Sequence, residues 1–255
     1  MIETRVSGQT GYLILNRPDA LNALNHQGME QFAHAFEEFD LDSDIRTIII
    51  SGAGERSFCA GGDISEFLDH HELEHALYSK MQPLYQRIAD SRTTTIAAVN
   101  GFALGGGFEL ALACDIRIAS DNASFALPEL GLGVLPAAGG TQRLTRLVGP
   151  GRAMDLVLTG RRIHAEAALA WGVVTEVTTH QELLERAQEL AVTIQGKGPI
   201  AVTVGRMLVK HADDVSITTG LAMEALAQAV AYGSDDVEEG SQAFAEKRSP
   251  NFKGK

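Results

Sequence analysis

The feature that most narrows the fold is a series of short, unbroken apolar runs. Thr47-Ile48-Ile49-Ile50-Ser51 is the clearest; Thr95-Ile96-Ala97-Ala98-Val99 and Ile116-Arg117-Ile118-Ala119 repeat the pattern. A strand with one wet face alternates polar and apolar residues, whereas a continuous β-branched run must be covered on both faces. Tyr12-Leu13-Ile14-Leu15, closed by Asn16-Arg17-Pro18, and Val173-Val174-Thr175-Glu176-Val177 read as further strands. Helical patterns lie between them. Met29, Phe32, Ala33, Phe36 and Phe39 mark a helix over 27–40, and further patterns cover 65–90, 107–114, 141–148, 152–158 and 165–171. Strands alternating with helices predict an α/β fold with parallel pairing.

The pattern changes near residue 180. Leu183, Leu184, Ala187, Leu190, Ala191 and Ile194 share one helical face, and Gly196-Lys197-Gly198-Pro199 then breaks the chain. Residues 200–248 are helical in pattern and rich in Ala. The expected organisation is an α/β core over 1–195 and a helical section over 196–255. No period of 20–50 residues stands out. A chain of 255 residues is long enough to bury a sizeable core.

Charge narrows the partners. The formal net charge is -12, and no Lys/Arg cluster stands against that field, so nucleic acid and anionic membrane surfaces are not expected. No apolar run reaches the length of a membrane span, and Met1-Ile2-Glu3-Thr4-Arg5 does not begin a secretory signal. The two cysteines, Cys59 and Cys114, fit a reduced, cytoplasmic protein.

Two glycine-rich turns carry the chemistry. Ser57-Phe58-Cys59-Ala60-Gly61-Gly62-Asp63-Ile64 follows a strand, and its small residues let the backbone approach another group. Asn100-Gly101-Phe102-Ala103-Leu104-Gly105-Gly106-Gly107-Phe108-Glu109-Leu110 runs from a strand through three glycines into a helix. Tight helix–strand packing accounts for one glycine but poorly for three in a row. Free N–H groups at a helix start, joined by one from the first turn, would make an oxyanion hole. Glu109 sits among Phe108, Leu110, Ala111 and Leu112; Glu129 sits in Leu127-Pro128-Glu129-Leu130. Carboxylates in apolar runs are candidates for general acid and base.

These segments together resemble the enoyl-CoA hydratase/isomerase (crotonase) superfamily. The resemblance rests on Cys59-Ala60-Gly61-Gly62-Asp63, the turn from Gly105 to Glu109, Leu127-Pro128-Glu129, Gly139-Gly140-Thr141-Gln142-Arg143-Leu144, Leu158-Thr159-Gly160 and the tail from Ala243 to Gly254. It extends from Asn16-Arg17-Pro18 to the last residues. It implies a spiral of ββα units with a C-terminal helical trimerisation section, assembled as trimers or paired trimers. It implies that Gly62 and Gly106 N–H groups bind the thioester oxygen, each donor worth on the order of 3 kcal/mol in the transition state. Glu109 then falls at the base that activates water, and Glu129 at the acid that protonates the α-carbon. Ala23, Ala60, Asp63 and Ile64 fall along the CoA moiety. Tyr232 takes a position that is often aromatic, and Lys253 of a neighbouring subunit is placed to reach the CoA. Ala137 stands where many hydratases have Gly; its N–H is kept, but its methyl narrows the pocket. No cofactor is implied, because CoA is part of the substrate. The same fold hosts isomerases and specialised dehydratases, so the two glutamates together are what favour hydration.

Two other motifs are weighed and set aside. His71-Glu72-Leu73-Glu74-His75 fits the zinc-protease pattern H-E-x-x-H. It lies in a polar helical stretch with no third ligand at a recognisable spacing, so no metal site is expected. Gly52-Ala53-Gly54-Glu55-Arg56-Ser57 resembles a dinucleotide fingerprint, but it leads to another glycine turn rather than into a helix.

Overall fold

The apolar runs pair side by side. In the structure, a computed structural model describing residues 1–67 and 80–255, β1 (Ile2–Ser7) and β2 (Thr10–Leu15) form an antiparallel hairpin. Parallel to β2 follow β3 (Thr47–Gly52), β5 (Thr94–Val99), β7 (Ile116–Ser120) and β10 (Glu176–Thr178), giving a six-stranded sheet. Ile48, Ile49 and Ile50 are fully buried. Successive strand residues face opposite sides, so both faces of the sheet are covered at β3, whereas the edge strand β1 is largely exposed.

A second sheet holds β4 (Ser57–Cys59), β6 (Phe102–Leu104), β8 (Ser124–Ala126) and β9 (Ile163–His164). Its first three strands are parallel and β9 is antiparallel. The successive pairs β3–β4, β5–β6 and β7–β8 each give one strand to each sheet. That repeat is the spiral of ββα units. Buried Asn100 pins one corner: its Nδ2 donates to Gly54 O (2.8 Å), and its Oδ1 accepts from Gly52 N–H (3.0 Å). Such bonds satisfy backbone groups where a strand leaves its ladder.

The helices of this unit are α1 (His26–Leu41), α2 (Ile64–Phe67), α3 (Met81–Asp90), α4 (Gly106–Ala113), α5 (Gly140–Val148), α6 (Pro150–Thr159) and α7 (Ala165–Ala170). Asn25 caps α1 by accepting the Gly28 N–H (2.8 Å). Every residue of α4 is buried, Glu109 included. Phe108 of α4 packs on Phe125 of β8 with centroids 5.2 Å apart. Burying a ring of this size contributes roughly 1.5–3 kcal/mol. Part of the helix expected over 65–90 lies outside the described residues, as do His71, Glu72 and His75.

The strand expected over 173–177 begins later than the pattern suggests. Val173 and Val174 are buried, but their N–H groups bond Ala168 O at the end of α7, and Arg117 Nε donates to Val173 O (2.8 Å). Their backbone is satisfied by a helix end and a side chain, so burial there does not require a ladder.

The chain divides into two compact units, Met1–Gln188 and Glu189–Lys255; α8 (Leu183–Gln195) crosses the division. The second unit contains α9 (Pro199–Lys210), α10 (Ile217–Tyr232) and α11 (Asp235–Glu246). Its tail folds back on α11. Asp236 accepts from Lys253 N–H (2.6 Å) and Gly254 N–H (3.0 Å), while Glu239 accepts from Asn251 N–H (2.6 Å) and pairs with Arg248. Phe244 is 87% exposed, and Val209, Ile217 and Leu226 are also largely exposed. Among the described residues no helix is long and apolar enough to cross a membrane.

Candidate active site

Two glycine turns meet in the first unit. Ala60 N–H donates to Leu21 O (3.0 Å), Leu24 N–H to Gly61 O (2.8 Å) and Asp63 N–H to Leu24 O (3.0 Å). These bonds flank Gly62 in a parallel bridge with Leu24, so the N–H of Gly62 itself points to the opposite side. The Gly61 N–H is taken up by the Cys59 sulfur (3.4 Å). Burial pushes that thiol up to about 12, so it stays neutral. A Cβ built on Gly61 would lie 3.0 Å from Gly106 N: the two turns touch.

The three consecutive glycines have separate reasons. Gly105 caps α4 at φ 53° and ψ -127°, a conformation that a side chain strongly disfavours. Gly106 is the first helical residue, and its N–H has no intrahelical acceptor. A Cβ on Gly107 would meet Cys59 O at 2.0 Å, so α4 presses directly on β4.

Glu109 follows one turn into α4 and is 2% exposed. Its Oε1 accepts two backbone bonds, from Ala138 N–H (2.8 Å) and Gly140 N–H (2.7 Å). Gly140 opens α5, so the carboxylate also sits at a positive helix end. Burial raises its pKa; the two N–H donors and the Arg143 guanidinium oppose that rise.

Glu129 is held differently. It starts a 3-10 turn over Glu129–Leu132. Both carboxyl oxygens are buried, and neither has a hydrogen-bond partner among the described residues. Oε1 lies 3.1 Å from where a Gly105 Cβ would stand, which seats the acid against the glycine turn. Burial pushes the pKa up to about 7; its own backbone N–H pulls it back without the geometry of a full hydrogen bond, and the Glu109 charge pushes it further up. One acid therefore has its anion supported by donors, and the other has a neutral form that costs least. A pair of acids driven apart in this way can divide base and acid roles.

Ala23, Ala60, Asp63 and Ile64 gather on the paired segments beside the first turn. Ala23 and Ala60 are half-buried, and Ile64 is exposed. The Asp63 carboxylate accepts from Ser65 Oγ (2.7 Å) and Arg17 Nη1 (2.6 Å), which hold its pKa below the ordinary carboxylate value. Ala137 is exposed between buried Pro136 and buried Ala138. Tyr232, which ends α10, and Lys253, whose backbone is tied to Asp236, belong to the second unit. Sequence reasoning missed the Glu109 donors Ala138 and Gly140, because a backbone N–H has no residue signature. It also missed Met81, whose sulfur lies 3.0 Å from where a Gly106 Cβ would stand.

Known proteins resemble this chain along nearly its whole length. The family model described as "Enoyl-CoA hydratase/isomerase" matches residues 7–255. A short-chain-enoyl-CoA hydratase of Clostridium acetobutylicum is 41% identical over 242 residues, covering 94% of this chain and 93% of that protein. A crotonyl-CoA hydratase of Syntrophomonas wolfei is 40% identical over 241 residues, covering 94% and 93%. The crystal structure of an enoyl-CoA hydratase from Bacillus anthracis superposes with a TM-score of 0.96 at 40% identity, covering 100% of this chain and 99% of that one. The two-sheet spiral is thus the crotonase fold, and the chain belongs to the enoyl-CoA hydratase/isomerase family.

Proposed function

We propose that this enzyme adds water reversibly across the double bond of a 2-enoyl-CoA thioester, giving a 3-hydroxyacyl-CoA. The observation that carries the reading is the unequal support of two carboxyl groups beside one pair of glycine turns. Glu109, with two N–H donors on Oε1, takes a proton from water. The hydroxyl bonds to the β-carbon, and the displaced electron pair runs to the thioester oxygen. Gly62 and Gly106 N–H groups hold that developing oxyanion. Glu129, with a pKa near 7, gives its proton to the α-carbon as the carbonyl re-forms. One water is consumed, and the proton left on Glu109 and the charge left on Glu129 are reset by exchange with solvent.

In this reading Ala23, Ala60, Asp63 and Ile64 border the adenine and pantetheine of CoA, and no separate cofactor takes part. Ala137 narrows the acyl pocket. Lys253 reaches the CoA from a neighbouring subunit, and Tyr232 supplies an aromatic contact to it. Residues 196–255 serve assembly as a trimer or paired trimers, and the exposed Val209, Ile217, Leu226 and Phe244 support that use. Both cysteines are buried, and the cytoplasm is the proposed compartment for a chain with two of them.

Purified enzyme is expected to bleach the enoyl absorbance of crotonyl-CoA or a longer 2-enoyl-CoA, with a 3-hydroxyacyl-CoA as product. Inactivity on every chain length tested sinks the reading. Double-bond migration in a 3-enoyl-CoA without hydration would reassign the enzyme as an isomerase.

A further inference from the structure

The segment from Pro136 to Gly140 supplies Glu109 with two donors from alternate peptide units. The Ala138 N–H belongs to the peptide joining 137 and 138; the Gly140 N–H belongs to the one joining 139 and 140. Between them lies the peptide joining 138 and 139, and its carbonyl is also bound. Arg143 of α5 reaches back over Gly139, where a Cβ would stand 2.0 Å from Nη1, and donates Nη1 to Ala138 O (2.9 Å). The other arm, Nη2, donates to Gln86 Oε1 of α3 (2.9 Å). Gln86 in turn donates Nε2 to both oxygens of Asp90 (3.0 Å each). A planar guanidinium binding two acceptors at once fixes direction as well as distance.

We infer that Arg143 is a positioning residue for Glu109: it clamps the central peptide of the donor loop, so the two flanking N–H groups converge on one carboxylate oxygen. This role rests on the hydratase reading for its effect on rate. Arg143 does not touch Glu109 through a hydrogen bond of its own; it acts through the loop and through its charge. Among the described residues, the charged and titratable groups facing Glu109 are Glu129 from the 3-10 turn, buried Tyr85 from α3 and Arg143 from α5, with Asp90 of α3 and Cys114 acting on Arg143. Arg143 is the cation in this set, so among the described residues its loss leaves the Glu109 anion facing acids and backbone N–H groups.

The test is R143M, R143K and Q86M, with R161Q of the exposed Arg161–Asp155 pair as control. Each is measured for kcat and KM against pH on the best 2-enoyl-CoA, and the Glu109 carboxyl is titrated by 13C NMR. R143M is expected to lower kcat roughly 10- to 100-fold, the scale of a misplaced catalytic group, with KM within about twofold. The acid-side limb of kcat and the NMR midpoint both move to higher pH. R143K keeps a cation without the fork, so it falls between R143M and wild type, and Q86M moves the limb the same way by less. R161Q matches wild type. An unmoved Glu109 midpoint in R143M and Q86M, or a rate loss that only tracks the unfolded fraction, overturns the inference. Because the NMR titration needs no turnover, it decides the point even where wild type hydrates no enoyl-CoA and the functional reading fails.

Discussion

The two sides of the pocket treat the same functional group in opposite ways. On the α4–α5 side, Glu109 is almost fully buried, yet one oxygen receives two backbone N–H bonds and a guanidinium stands behind the loop that makes them. On the 3-10 side, Glu129 is less buried as a residue, yet both its oxygens are dry and unmatched. Burial alone would rank Glu109 as the more perturbed acid. The partners reverse that order, and Glu129 is the one driven to about 7. Desolvation penalises an anion only to the extent that donors fail to replace the lost water.

Removing either acid is the largest test of that contrast. E109Q and E129Q are each expected to lower kcat roughly 100-fold or more, the scale of losing a general acid or base. Full activity in either variant removes that residue from the mechanism. The pH profile then separates the two. In wild type, hydration should fall as pH rises through about 7, because Glu129 loses the proton that the proposed reaction draws from it. E129Q should lose that alkaline limb, whereas the residual activity of E109Q should keep it. The same limb in both variants would place the proton donor elsewhere.

Stability offers a smaller effect of known sign. Glu129 binds its proton more tightly folded, near 7, than unfolded, near 4.5. Its cost to the fold is therefore absent below about 4.5, grows as pH rises, and is complete above about 7. E129Q should relieve it, so its melting temperature relative to wild type should rise between pH 5 and pH 8. The gain is about 1–2 kcal/mol, less than the full shift implies because Glu129 as a whole residue is only half-buried and its charge is partly screened. E109Q should gain less, since the wild-type anion already has donors. An E129Q difference that does not change with pH would show that Glu129 is not strained when ionised.

Much of this arrangement is legible in the sequence, and the missing parts share a cause. The runs at 47–51 and 95–99 announce buried parallel strands because three or more β-branched or apolar residues in line have few other uses, and 116–119 joins them although Arg117 interrupts its run. The second sheet is hidden because Ser57–Cys59, Phe102–Leu104 and Ser124–Ala126 are three residues each, too short to show a period. Val173 and Val174 mislead in the other direction, since their burial reflects a helix end and Arg117 rather than a ladder. In the site, Glu109 and Glu129 stand out as acids among apolar neighbours. Their inequality does not, because it depends on which backbone N–H groups converge from residues 138 and 140.

The smallest change worth making is Ala137→Gly. The residue is exposed, so its methyl adds little to the core, but its C=O and the Ala138 N–H share one peptide unit. Under the proposed function, glycine at 137 would widen the acyl entrance; it would also loosen the peptide that donates to Glu109. The first effect should appear in KM, as better binding of bulkier or branched acyl groups, by no more than roughly 10-fold for one methyl. The second should appear in kcat with crotonyl-CoA, and it should stay within about threefold, because Arg143 still holds the next peptide in place. The loss in stability should be about 0.5–1 kcal/mol, from added freedom in the unfolded chain. Combining A137G with R143M should then lower kcat by more than the product of the two single effects, since each change removes a restraint the other leaves standing. Simple multiplication of the two losses would mean that the loop around Glu109 is rigid without Arg143, and the contrast between the two acids would rest on fold geometry alone.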